Sequence, residues 1–161
     1  MTDGWASAPI DGDDLGLAND ALRRLYADWR ARLRGRLMPA RRDFDILDLK
    51  YIVGDLQLLQ VERDPLRFRF RVHATNATAR IGFDLTGRTV DDYPDPEYRA
   101  MVHNLYAGVV EARRPRRVMQ ASYELPSVIL RWEGVILPLS DDGETVNMLM
   151  VGLHLLDAPT R

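Results

Sequence analysis

The sequence predicts a single α+β domain, built on a five-stranded antiparallel sheet with a long helix and short helices on one face and an N-terminal amphipathic helix. Three observations carry this expectation. A chain of 161 residues, 46% of them hydrophobic, is long enough to bury one core and short for two. Apolar residues recur at helical spacing in two separate stretches, 22–33 and 98–109. Each stretch is followed by segments with the alternation and turn residues of strands, two after the first and three after the second.

Residues 1–16 are rich in Gly, Asp and Ala and show no hydrophobic period, so they are expected to form a flexible leader, with order beginning near Leu17. Residues 17–50 are expected to hold the first helix and a short helical turn, and residues 51–161 the core of the domain. Leu22, Leu25, Tyr26, Trp29 and Leu33 make one stripe on a helix expected to end near Gly35. The first four are candidates for packing against the sheet or for a dimer contact, because they would otherwise leave a large exposed patch. Pro39 breaks the chain, and Asp43 is placed to cap a turn that directs Phe44, Leu47 and Leu49 inward.

LQLLQV at 56–61 and FRFRVHA at 68–74, joined by Arg63-Asp64-Pro65, predict a β-hairpin. Its second strand puts Phe68, Phe70, Val72 and Ala74 on one face and Arg69, Arg71 and His73 on the other, as expected at or near a sheet edge. A short helix is expected from Thr75 or Asn76, then a loop punctuated by Gly82, Gly87 and Pro94. The long helix is expected over 96–112, and strands over 117–125, 128–139 and 145–156. Ser140-Asp141-Asp142-Gly143 turns the last pair. Both faces of the last strand are apolar, which places it centrally.

Composition excludes several chemistries. With no cysteine, disulfides, thiolate metal sites, iron–sulfur clusters and cysteinyl cofactor bonds are ruled out. No apolar run approaches the ~20 residues of a membrane span, and the acidic start lacks the basic region of a secretory signal, so a cytoplasmic protein is expected. The net charge of −2 is unevenly spread: residues 23–42 carry eight arginines against Asp28 alone. These and Arg113, Arg114, Arg116 and Arg117 lack interleaved aromatics or a DNA-binding helix, so a solvated face or an acidic protein partner is expected, not nucleic acid. No HExxH, hydrolase elbow or Ser-His-Asp set is present, and no catalytic residue is assigned.

The segment VHATNATARIGFDLTGRTVDDY carries Asn76-Ala77, then Gly82, then Leu85-x-Gly87-Arg88, then the acidic turn Asp91-Asp92. With the element order, and with LYADWRARLRGRLMPARRDFDILDL and ILPLSDDGETVNMLMVGL at either end, this resembles a PAS domain over roughly residues 22–157. The particular likeness is to the small stand-alone PAS proteins of alphaproteobacteria. The resemblance implies a PAS-like sheet and a sensory or interaction module in bacterial signal transduction that is not itself an enzyme. It implies action by protein–protein contact, as a homodimer or with a partner such as a histidine kinase. It also implies a small apolar or amphipathic ligand held between the long helix and the sheet, where some relatives hold haem or flavin.

Candidate residues for that cavity are Tyr98, Met101, Leu105 and Tyr106 on the long helix, with Tyr123 and Trp132 on facing strands, mixing apolar bulk with hydroxyl and indole groups. Periodicity does not separate a hollow interior from a filled one, so a dimerisation or scaffold domain with a filled core stands as the alternative. A small enzyme on a related curved-sheet fold is a further alternative. No haem or flavin is expected, because the long helix's period turns His103 about 120° from the stripe, toward solvent. His73 is expected at the surface and His154 packed, and three separated histidines make no metal site. Asp91, Asp92 and Asp95 are read as favourable charges at a helix start. Asn76, Gly82, Gly87 and Arg88 are assigned structural roles, with Arg88 anchoring its loop instead of binding phosphate.

Overall fold

The computed structural model describes the backbone at residues 5–9, 15–125 and 128–156, and side chains at 15–119 and 131–156. The strands are β1 (Trp5–Pro9), β2 (Leu56–Glu62), β3 (Arg67–Val72), β4 (Arg116–Leu125), β5 (Val128–Leu139) and β6 (Met148–Leu155). They form one antiparallel sheet in the order β1-β4-β5-β6-β2-β3. The helices are α1 (Asp20–Ala31), α2 (Thr75–Ile81) and α3 (Pro96–Ala112). The five expected strands and both expected long helices are present, and the fold is α+β and PAS-like. The sixth strand departs from expectation: residues 5–9, assigned to a leader, pair with β4, Trp5 opposite Gln120 and Pro9 opposite Arg116. An edge strand is held through its backbone and needs no hydrophobic alternation, so WASAP gave no signal.

Helix α1 covers the outer face of β5 and β6. Its N-cap Asn19 accepts a hydrogen bond from the Leu22 amide at 3.0 Å. It ends at Ala31, short of Gly35, because Arg34 and Gly35 take left-handed φ values of 48° and 79° and reverse the chain. Leu22, Leu25, Tyr26 and Trp29 are all buried. Gly152 in β6 makes the close approach feasible: a Cβ there would lie 2.7 Å from Leu22 Cδ2 and 2.8 Å from Leu25 Cδ2. The Trp29 indole donates to the Pro138 carbonyl at 2.9 Å, satisfying its one polar atom inside the core.

The start of α1 is clamped by Glu133 of β5, which is 2% exposed. Its carboxylate accepts the amides of Ala18 (3.1 Å) and Asn19 (2.9 Å) and the Arg117 guanidinium (3.2 Å). Burial pushes this carboxyl up, but the two amides and Arg117 outweigh it and hold the pKa below its ordinary value.

Between α1 and β2 the chain runs as a 3₁₀ helix over Ile46–Asp55, capped by Asp45, whose carboxylate accepts the Leu47 amide at 2.9 Å. It crosses the boundary expected at residue 50 and corrects one core assignment. Phe44 and Leu49 are buried as expected, but Leu47 is 62% exposed. A 3₁₀ helix repeats every three residues, so Leu49 and Ile52 share the inward row and Leu47 faces out.

The strand of His73 also ends earlier than its alternation suggested. β3 stops at Val72 and the chain turns into α2, so His73 is buried at 4% exposure instead of lying among the arginines. Its Nδ1 lies 2.8 Å from Thr78 Oγ1 and accepts the Leu85 amide at 3.3 Å, tying α2 to the following loop. Burial holds its pKa down, with Asp84 at 3.8 Å opposing. That loop is zipped onto the free edge of β3, the Phe70 amide donating to Arg88 O and the Gly87 amide to Phe70 O. β6 starts at Met148, three residues late, because 140–147 is a wider loop than an Asp-Gly turn. In it Asp142 accepts the amides of Glu144 and Thr145 and the Ser140 hydroxyl, which bring its pKa to about 2.

Candidate functional site

Helix α3 crosses the inner face of the sheet. Asp95 caps it by accepting the Tyr98 amide at 2.7 Å, and Pro96 opens its first turn. Just upstream, the Asp92 carboxylate accepts the Thr89 amide at 2.9 Å, so two of the three acids before the helix serve as caps. Among the described residues no group of three or more His, Cys, Asp or Glu is placed to hold a metal ion.

Between α3, α2 and the sheet lies a small, partly open cavity. Four expected residues line it: Tyr98, Leu105 and Tyr106 from α3, and Trp132 from β5. Met101 does not; it is partly buried and packs on the flank of the core. Tyr123, opposite Leu130 in the register, lies outside the described side chains. Lining residues absent from the expected set are Gln57 of β2, Tyr93, Val102, and Leu153 and Leu155 of β6, with Ala77 and Ile81 of α2. Leu153 and Leu155 follow from the apolar alternation of β6. Gln57 had a weaker signal, as the first of two glutamines in the largely apolar β2, whereas Tyr93 sits in a loop with no period to read.

The cavity holds about 20 Å³, on a scale where one water needs roughly 10–15 Å³. Aromatic rings fill much of what a wider pocket would offer: Tyr93 and Tyr98 meet edge to face with centroids 4.8 Å apart, and Tyr106 meets Phe68 at 5.4 Å. Burial drives the phenols of Tyr93 and Tyr106 well above their ordinary pKa, so both stay neutral. No lining side chain is charged. Gln57 Oε1 is buried and has no hydrogen-bond partner among the described residues.

His103 is not on this lining. It is partly buried on the flank of α3, its ring edge-on to Phe68 with centroids 5.3 Å apart, a correction to the expected solvent-facing position. Phe68 of β3 reaches beneath that flank of the helix, which the period of α3 alone does not reveal. His154 is half-exposed, 3.7 Å from Asp55, and not packed as expected.

Of the family-motif residues, Asn76 acts through its side chain and the others through the backbone. The Asn76 amide donates to Asp55 Oδ1 at 2.8 Å and pins α2 to the end of the 3₁₀ segment. Gly82, at φ 88°, ends α2 in the left-handed conformation, and Gly87 takes φ 83° in the loop. Arg88 holds the loop through its carbonyl on Phe70; its exposed guanidinium makes no hydrogen bond or ion pair among the described residues, which corrects the expected side-chain anchor.

No helix of the described residues is long and apolar enough to cross a membrane. No curated protein matches the chain. A family model described as PAS domain matches residues 17–154, from the approach to α1 to the penultimate residue of β6. With the sheet order, the capped α3 and the inner-face cavity in place, that match settles the family: the chain belongs to the PAS domain family and is a sensory or signalling module.

Proposed function

We propose that this chain works in the cytoplasm, in bacterial signal transduction, by protein–protein contact, with itself or with a signalling partner such as a histidine kinase. It does so without catalysing a reaction. The observation that carries this reading is the inner face, where the cavity of about 20 Å³ has room for about one water and is lined by neutral side chains. A pocket for a drug-sized molecule measures roughly 300–1,000 Å³. General acid–base work would need a lining group that titrates near neutrality, and buried tyrosines with raised pKa values do not supply one.

A second reading, a small amphipathic ligand admitted by movement of α2 against α3, is favoured by one observation. Gln57 Oε1 is buried in the cavity wall without a donor among the described residues, and a ligand hydroxyl or amide would satisfy it. Native mass spectrometry of protein purified from its host separates the two readings. The expected result is a protein–protein complex carrying no small molecule. A monomer with one bound metabolite per chain would replace the first reading by the second.

A further inference from the structure

Side chains on the 3₁₀ segment Ile46–Asp55 fall into three rows, because three residues per turn bring i and i+3 into line. One row, Leu49 and Ile52, is buried. The row Leu47, Lys50 and Val53 points outward, its apolar members 62% and 53% exposed. Leu47 and Val53 are two of only four exposed large hydrophobics among the described residues, and the other two, Leu37 and Ile46, lie in the same part of the chain.

A cleft of about 520 Å³ separates this row from α1. Its acidic groups are already engaged: the Tyr51 hydroxyl donates to Asp28 at 2.6 Å, and Arg32 pairs with Asp28 at 3.9 Å and Asp48 at 3.6 Å. Two of its cations have no carboxylate partner among the described residues. The Arg24 guanidinium carbon lies 4.0 Å from the centroid of the Tyr51 ring, and neither it nor Lys50 makes a hydrogen bond or ion pair among the described residues. The lining of the cleft holds three cations, Arg24, Arg32 and Lys50, against two acids, Asp28 and Asp48, and both acids are already engaged. A second copy of this face would meet like charge, so charge complementarity points to an acidic partner.

Resting on the reading that the chain acts by contact, we propose that this row docks an acidic amphipathic α-helix of a partner protein. The partner's apolar residues at i and i+8 would seat on Leu47 and Val53, and its carboxylate at i+4 on Lys50, with Arg24 taking a neighbouring carboxylate. The spacing fits. Three residues of a 3₁₀ helix rise about 6 Å, and so do four residues of an α-helix.

Two synthetic helical peptides test this, both with Leu at i and i+8, one with Glu and the other with Lys at i+4 and the positions beside it. Binding to the full chain is read by fluorescence anisotropy at low and high salt. The Glu peptide is expected to bind at least tenfold more tightly than the Lys peptide, and more weakly as salt rises. Leu47→Asp and Lys50→Glu are each expected to weaken it at least tenfold without changing the melting temperature, because both positions are exposed. Lys50→Glu is also expected to raise affinity for the Lys peptide. Equal binding of the Glu peptide to wild type and both variants would show that the contact lies elsewhere on the chain, and absence of binding by either peptide would likewise overturn the assignment of this face. The reading that the chain acts by contact fails separately, in the native mass spectrum, if a monomer with a bound metabolite is found.

Discussion

On the outer face of the sheet, α1 sets Leu22 and Leu25 into the space that Gly152 leaves open, hydrogen-bonds its buried indole to Pro138, and has its first amides held by Glu133. On the inner face, α3 leaves about 20 Å³ unfilled and a glutamine oxygen unpartnered. Both helices bring an apolar stripe to the same sheet, so hydrophobicity does not distinguish them. The difference lies in how completely polar atoms and volume are accounted for. The outer cover pairs its buried carboxylate and its indole, whereas the inner face keeps spare volume and a glutamine oxygen with no donor among the described residues.

The largest expected effect breaks the outer cover. Trp29→Ala removes a ring that is 4% exposed and leaves the Pro138 carbonyl without its donor, so it should lower stability by about 3 kcal/mol or more in chemical denaturation. A loss near zero would mean that α1 is not the lid described here. On the inner face, Leu105→Ala should cost about 2 kcal/mol or more and also enlarge the cavity enough to admit a small apolar molecule. Benzene is then expected to raise the melting temperature of the variant and not of the wild type. Equal effects on both proteins would show that the wild-type cavity is larger than about 20 Å³.

Acid should separate the same two regions. His73 is held neutral by burial, its pKa below the ordinary 6.5 or so, and it ties α2 to the loop beside the inner face. The unfolded chain binds that proton first, so the stability His73 contributes is full above about pH 6.5 and falls as pH drops below it. Glu133, whose pKa is lowered, holds the outer cover, and its contribution is present above about pH 4.3 and lost as pH falls through its folded value. Denaturation measured from pH 8 to 3 should show two declines, the upper removed by His73→Gln and the lower made smaller by Glu133→Gln, its remainder belonging to Asp142 and the other carboxylates held low. An upper decline that survives His73→Gln would assign it to another group.

Much of this comparison was legible beforehand, because it rests on periodicity. The stripe of α1, the span of α3 and the two-sided burial of β6 follow from spacing alone. Seven of the eleven residues of the cavity lining did not, for physical reasons. Tyr93 is delivered by a loop, and the Gln57 contact requires knowing which face of β2 meets α3. The alternation of β3 misplaces His73 because the strand ends at Val72, and Leu47 faces out instead of in because its segment repeats in three. β1 left no trace, since an edge strand can be recruited by backbone pairing alone.

The smallest effect concerns the loop beside the inner face and compares two glycines that are needed for different reasons. A Cβ at Gly152 would strike Leu22 and Leu25 at under 3 Å, so Gly152→Ala acts by crowding the outer cover, at a cost of about 1–3 kcal/mol. At Gly87 a Cβ meets nothing within 4 Å, but φ is +83°. The penalty there is conformational alone, about 1 kcal/mol for an alanine in the left-handed region. Gly87→Asn, which tolerates that region better, should recover part of the loss, while Gly152→Asn should be worse than Gly152→Ala. The Gly87 amide donates to Phe70 O, so the strain falls on the seam between the loop and β3. Amide hydrogen exchange in Gly87→Ala should therefore quicken at Phe70 and Gly87 before it quickens in α1. Uniform quickening across both faces would mean that the loop and the outer cover open as one unit, and that the distinction between the two faces does not extend to their dynamics.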